Sequence, residues 1–143
     1  MKTVFKEIMY NTPEWVAAVT LREKILREPL GSFFTKQELV EEKHHFQIAG
    51  FIDDTVVATA VLVPENNIIK MQRVVVAENL QGLGIGTEMM KFCEKFALDR
   101  KFISIYCHAR DTAVNFYTKN GYEKIGDYFD EDGIPHLKMR KML

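Results

Sequence analysis

Apolar and polar residues alternate from Thr3 to Met9, which predicts a first strand. Thr12-Pro13-Glu14 then supplies an N-cap, a proline at the first helical position and an acid in the first turn. A helix is predicted from there to about Arg27. Gly31 and Ser32 interrupt it, and Thr35-Lys36-Gln37-Glu38 matches a capping box that opens a shorter helix to about Lys43. His45–Ile52 and Thr55–Val63, separated by Asp53-Asp54, read as a hairpin, and Ile68–Val76 adds a strand after Asn66-Asn67. The centre of the chain is therefore an antiparallel meander. Met89, Phe92, Cys93, Phe96 and Ala97 recur at i, i+3, i+4, i+7 and i+8, one apolar stripe on a helix. Phe102–His108 follows as a strand, so strand, helix and strand make a parallel crossover unit. Asp111 is expected to cap a short helix ending at Asn120-Gly121, and Tyr122–Phe129 and His136–Met142 form a last strand pair joined by DEDGIP. The class is α/β in the mixed, α+β sense: a central sheet of about six to seven strands with four helices.

Composition narrows the function classes. A chain of 143 residues fits one domain spanning 1–143 and is long enough to bury a core without disulfide or metal staples. The formal net charge of −1, with no run of lysines and arginines, argues against a nucleic-acid partner. Cys93 and Cys107 lie in a helix and a strand without ligand spacing, so they are read as buried thiols, and no metal is expected. No apolar stretch approaches the roughly 20 residues that cross a bilayer, and the N-terminus lacks a signal-peptide core. The expectation is a soluble cytoplasmic protein without membrane contact, and a homodimer is left open.

The chemical signal lies at residues 74–86, VVVAENLQGLGIG, where an apolar strand turns through glycines into a helix. The first N–H groups of such a helix lack intrahelical partners and sit at the positive end of its dipole. Phosphate suits that place, and glycine lets the main chain approach it closely. A P-loop would need a lysine after Gly86, and none follows. A dinucleotide fold would need G-x-G-x-x-G and an acid about 20 residues on, but the spacing is G-x-G-x-G and the next strand ends in Cys107-His108.

The third pattern, Q-x-x-G-x-G at Gln81, Gly84 and Gly86 after a strand, resembles the acyl-CoA-binding motif of the GNAT N-acetyltransferases. Ala113-x-x-Phe116-Tyr117-x-x-x-Gly121-Tyr122 is similar to the family's second signature, and the order of elements matches over nearly the whole chain. The ending Phe129-x-Glu131-Asp132-Gly133-Ile134-Pro135-His136-x-x-Met139 resembles the YjcF/ElaA-like branch. The resemblance implies the GNAT fold, splayed between its fourth and fifth strands, and acetyl-CoA as the cofactor. It assigns the cofactor's pyrophosphate to Gln81, Gly82, Leu83, Gly84, Ile85, Gly86 and Thr87, and its pantetheine arm to the main chain of Val74, Val75 and Val76. Asn115 is a further cofactor candidate, while Arg110 stands where many relatives carry asparagine.

Tyr117 is implied as the acid that protonates the departing thiolate, since a phenol stays un-ionised at neutral pH. Its alternative is an aromatic packing residue on an amphipathic helix. Lys70-Met71-Gln72-Arg73 carries no carboxylate to act as base, so deprotonation passes through water, His108 or His136. His136 and Gln72 are expected on the acceptor side. Periodicity adds one feature: Trp15, Ala18, Val19, Leu21, Ile25 and Leu26 form an apolar helix face with Arg22 near its middle. Arg22 either pairs with a carboxylate or grips an anionic group of the acceptor. A charge run at Glu38, Glu41 and Glu42 is either a solvated face or the wall of an acidic groove.

The expected function is transfer of an acetyl group from acetyl-CoA to a primary amine by direct attack in a ternary complex. The expected partner is a small-molecule amine, with an anionic group if Arg22 serves the acceptor. The alternatives are a protein or peptide N-acetyltransferase and a non-catalytic acyl-CoA-binding sensor.

Overall fold

A computed structural model describes residues 2–143. The elements are β1 (Val4–Ile8), α1 (Pro13–Leu26), α2 (Lys36–Glu41), β2 (Phe46–Ile52), β3 (Thr55–Glu65), β4 (Ile68–Val76), α3 (Ile85–Asp99), β5 (Ser104–Arg110), α4 (Val114–Lys119), β6 (Glu123–Glu131) and β7 (Ile134–Met142). Seven strands form one sheet in the order β1-β2-β3-β4-β5-β7-β6. Its one parallel pair is β4 with β5, produced by the α3 crossover; the remaining pairs are antiparallel.

Local chemistry explains the boundaries. The Trp15 N–H donates to Thr12 Oγ1 at 3.3 Å and Pro13 occupies the first turn, which starts α1. The capping box at α2 is complete: the Glu38 N–H donates to Thr35 Oγ1 and the Thr35 N–H to Glu38 Oε1, both at 3.1 Å. Asp53 and Asp54 both take positive φ (49° and 46°), which matches the right-handed twist of the β2–β3 hairpin. Two expectations need correcting. Asp111 does not cap α4 but begins a 3-10 turn, Asp111–Ala113, and no side chain caps either segment. The last hairpin is also longer than expected, because Asp130 pairs with Pro135 and Glu131 with Ile134, leaving Asp132-Gly133 as the turn.

Each sheet face carries a core. On one side α3 lays Met89, Met90, Cys93 and Ala97 against Ile69, Met71, Ile105 and Met139. On the other, Trp15, Ala18 and Val19 of α1 cover Ile8 and Ala49 together with Phe34. Between them the sheet opens. β4 and β5 pair only at Ile68–Lys70 with Ser104–Tyr106, and the rest of β4 has no β5 partner. Opposite this gap β4 bulges: Val61 pairs with Gln72 and Thr59 with Val75, so Arg73 and Val74 share one step of the ladder, Arg73 at φ 54°.

Candidate active site

Two cavities meet at that opening. The first, about 430 Å³, runs from the unpaired stretch Val74–Val76 to the start of α3. Gly84 caps α3 at φ 86°, a conformation that suits glycine, and no side chain occupies the cap. The first α-helical bond there runs from the Glu88 N–H to the Gly84 carbonyl, so the N–H groups of Ile85, Gly86 and Thr87 have no helical partner. Gly86 meets a second demand, since a Cβ on it would lie 3.2 Å from the Phe116 ring. The cleft thus combines an unpaired strand edge with an uncapped helix N-terminus, a shape that fits an extended thiol arm ending in a diphosphate.

Of the residues assigned to that arm and diphosphate, Val74, Val75, Val76, Gln81, Gly82, Gly84, Ile85, Gly86, Thr87 and Tyr117 line the cleft. Gln81 uses its side-chain amide to donate to the Val76 carbonyl at 3.0 Å, closing the loop onto the strand. Leu83 is 67% exposed and Asn115 is exposed; neither side chain lines the cleft.

The second cavity, about 590 Å³, opens on the α1 face between the end of α1 and the β6–β7 turn. Val74, Ala113 and Tyr117 line both cavities. Tyr117 is 6% exposed; burial first, and then the neighbouring sulfurs of Cys107 and Cys93, push its pKa well above 10.0. The phenol is therefore a proton donor at neutral pH. Burial pushes the Cys107 thiol up to about 12, so this sulfur is a poor nucleophile.

His136, 5% exposed, donates from Nδ1 to the Ile134 carbonyl at 2.8 Å, because a carbonyl can only accept. That leaves Nε2 as the basic nitrogen, 3.5 Å from Glu131 Oε2. The other oxygen of Glu131 lies 3.1 Å from His108 Nδ1, and the Phe129 ring packs against both imidazoles. Gln72 and His136 both line this cavity. Glu131 was not among the sequence candidates; an acid at a hairpin end carries no signal until the fold brings it beside His108 and His136.

Arg22 does not line either cavity. It is 1% exposed, and its Nη2 donates to Glu42, itself 2% exposed, which resolves the two sequence alternatives toward the carboxylate pair. Burial lowers the Arg22 pKa while Glu42 raises it back. Glu42 also accepts from Arg73 Nε at 3.1 Å, and Arg27 makes two bonds to Glu38 at 3.1 and 2.6 Å. The guanidinium carbons of Arg22, Arg27 and Arg73 lie 5.1, 4.3 and 5.0 Å from the Phe34 ring centre. This network ties α1 and α2 to the β4 bulge. Glu41 remains an exposed surface residue.

Among the described residues no group of three or more His, Cys, Asp or Glu side chains is arranged to hold a metal ion, and no helix is long and apolar enough to cross a membrane.

Comparison with known proteins agrees with this arrangement. YjcF of Bacillus subtilis, an uncharacterised N-acetyltransferase, is 37% identical over 73 residues, which are 50% of this chain and 52% of that protein. The chain spans about half the length of the first curated relatives it matches. A crystal structure from Lactobacillus plantarum, described as a candidate N-acetyltransferase, superposes with a TM-score of 0.84 at 25% identity, covering 99% of this chain and 97% of that one. An aminoglycoside 6'-N-acetyltransferase complexed with coenzyme A shares the fold at a TM-score of 0.82 and 18% identity, covering 97% and 96% of the two chains. Residues 18–143 match the family described as "Acetyltransferase (GNAT) domain". The chain belongs to the GNAT acetyltransferase family.

Proposed function

We propose that the protein is an acetyl-CoA-dependent N-acetyltransferase that acts on a primary amine of a small molecule, by direct attack within a ternary complex. The observation that carries this reading is the meeting of two cavities, one on each side of the β4–β5 opening, at Val74, Ala113 and Tyr117. Donor and acceptor can occupy separate cavities and meet at these shared residues. Acetyl-CoA supplies an activated acyl group on a thiol leaving group. The unpartnered N–H groups at the start of α3 would hold its diphosphate, and the free edge of β4 would pair with its arm.

The chain's residues divide the remaining work. An N–H left without a ladder partner at the Arg73–Val74 bulge would suit the negative charge that develops on the carbonyl oxygen; one such donor contributes about 3 kcal/mol. His136 Nε2 takes the proton of the attacking amine, and Glu131 stabilises the resulting imidazolium. Tyr117 gives its phenolic proton to the leaving sulfur. Burial that pushes the Cys107 thiol up to about 12 supports direct attack over an acyl-enzyme on that sulfur. A volume of about 590 Å³ lies in the range of small-molecule sites, which favours a metabolite over a peptide.

The test is release of CoA thiol from acetyl-CoA against a panel of primary amines and short peptides. Amine-dependent turnover with at least one small amine is the expected result. Tight CoA binding without any turnover contradicts the reading and leaves an acyl-CoA-binding module.

A further inference from the structure

Not every charge around the acceptor cavity has a partner. Four cationic side chains line it: Arg27, Lys70, Arg73 and Arg110. Two are already committed, Arg27 to Glu38 and Arg73 to Glu38 and Glu42. With Arg22, and with Glu23 accepting the Phe34 N–H, these groups form a cluster of three cations and three carboxylates that balances itself.

Lys70 and Arg110 stand outside that balance. Both are half-buried, and among the described residues neither has a carboxylate within the 4.0 Å of an ion pair or any side-chain hydrogen bond. Glu65, on the strand beside β4, accepts the Tyr106 hydroxyl at 2.6 Å and is turned to that partner. Alternation along the strands puts Lys70 and Gln72 of β4, and His108 and Arg110 of β5, on the acceptor face, because Ile69, Met71, Cys107 and Ala109 are buried on the other. A partly desolvated cation without a counter-ion is costly, and an anion brought by a ligand relieves that cost.

The acids lie at the His136 end, where Arg110 pairs with His136 across β5–β7 and Lys70 does not reach. Glu131 and Asp132 stand at the β6–β7 turn beside His136, where an incoming ammonium group would shed its proton.

Resting on the acetyl-transfer reading above, we infer that the acceptor is bipolar: a primary amine delivered to the His136–Glu131 end and an anionic group, carboxylate or phosphate, held by Lys70, which pairs with Tyr106 further down β5 from the Arg110–His136 pair. The role given to Arg22 by the sequence thus passes to a cation on the sheet itself. Lys70 is the specificity-determining residue, since it lies on β4 before the bulge and lines only the acceptor cavity.

The test pairs amines that differ in the anionic group: 4-aminobutyrate against n-butylamine, and 2-aminoethyl phosphate against ethanolamine. Wild type and Lys70→Met are assayed for CoA release at saturating acetyl-CoA. In wild type, kcat/KM for the anionic member of at least one pair exceeds its neutral-tailed counterpart by 10-fold or more on the scale of one charged hydrogen bond. The pair that discriminates tells carboxylate from phosphate. In Lys70→Met that preference collapses to about threefold or less, while Lys70→Arg retains it. Loss of packing alone would lower both members of a pair together. Equal use of both members by wild type, or a preference that survives Lys70→Met, overturns the inference and leaves the acetyltransferase reading intact. No turnover with any amine overturns both.

Discussion

Replacing Glu42 with glutamine tests the network that joins the two helices of the acceptor side to the bulge of β4. Glu42 and Arg22 are 2% and 1% exposed, so the substitution leaves a guanidinium in the interior without its counter-charge, and it weakens the bond from Arg73. Removing one partner of a buried pair typically costs about 3–5 kcal/mol. Glutamine keeps the volume and one accepting oxygen, and a retained hydrogen bond offsets about 1 kcal/mol of that loss, which leaves about 3 kcal/mol. An unfolding entropy of about 2.1 cal/mol/K per residue over 143 residues is about 0.3 kcal/mol/K, so Tm should fall by about 10 °C. Urea and thermal unfolding followed by circular dichroism at neutral pH measure both quantities. The double variant Arg22→Met/Glu42→Gln should lose less than the sum of the single losses, by at least about 1 kcal/mol, because removing the guanidinium removes the stranded charge. A fall below about 3 °C for Glu42→Gln, or strict additivity in the cycle, would refute the claim that the buried pair anchors this wall.

Tyr117→Phe should lower kcat by about 10²-fold or more while leaving the Kd of CoA within about twofold, as expected for loss of a proton donor; an unchanged kcat removes the assignment. Since burial raises the phenol's pKa well above 10.0, the wild-type pH–rate profile should show no basic limb from Tyr117 below pH 10; a limb that disappears in Tyr117→Phe contradicts this. His136→Ala should lower kcat by about 10²-fold or more while leaving the Kd of CoA within about twofold, and an unchanged kcat identifies another base. The bonds from Arg27, foremost, hold the Glu38 carboxyl at about 2 against its ordinary 4.5, so its stabilisation is complete above pH 4.5 and lost as pH falls from there toward 2. Glu38→Gln should flatten the stability curve across that window in acid titrations, and an undiminished slope rules the pair out as its cause.

The sequence was most legible where one residue type answers one local demand. The glycine turn, the two helix N-caps at Thr12 and Thr35 and the ends of β4 are found where the pattern puts them, because glycine conformation, capping and alternation act over a few residues. The partner of Arg22 was not legible. A helical wheel shows that a guanidinium on an apolar face needs a counter-charge, but Glu42 lies 20 residues away and reaches it only when α2 folds back. The bulge at Arg73 gives no warning either, since arginine has no preference for φ 54° and is held there by Glu42, Glu38 and the bond from Thr59 Oγ1 to its carbonyl at 3.3 Å. Glu131 joins the site through strand register, which the length of a turn sets and residue type does not reveal. Asp111 shows the reverse error: a good capping residue was present, but the chain entered the helix through a 3-10 turn that leaves the cap unused.

A crystal structure of the protein grown with CoA bears on the central claim most directly, because it reports which groups hold the ligand. The account predicts diphosphate oxygens within about 3 Å of N–H groups among residues 82–87, the pantetheine arm paired along Val74–Val76, and the sulfur within reach of Tyr117 Oη. A diphosphate bound away from the start of α3, or an arm that does not enter between β4 and β5, would contradict it.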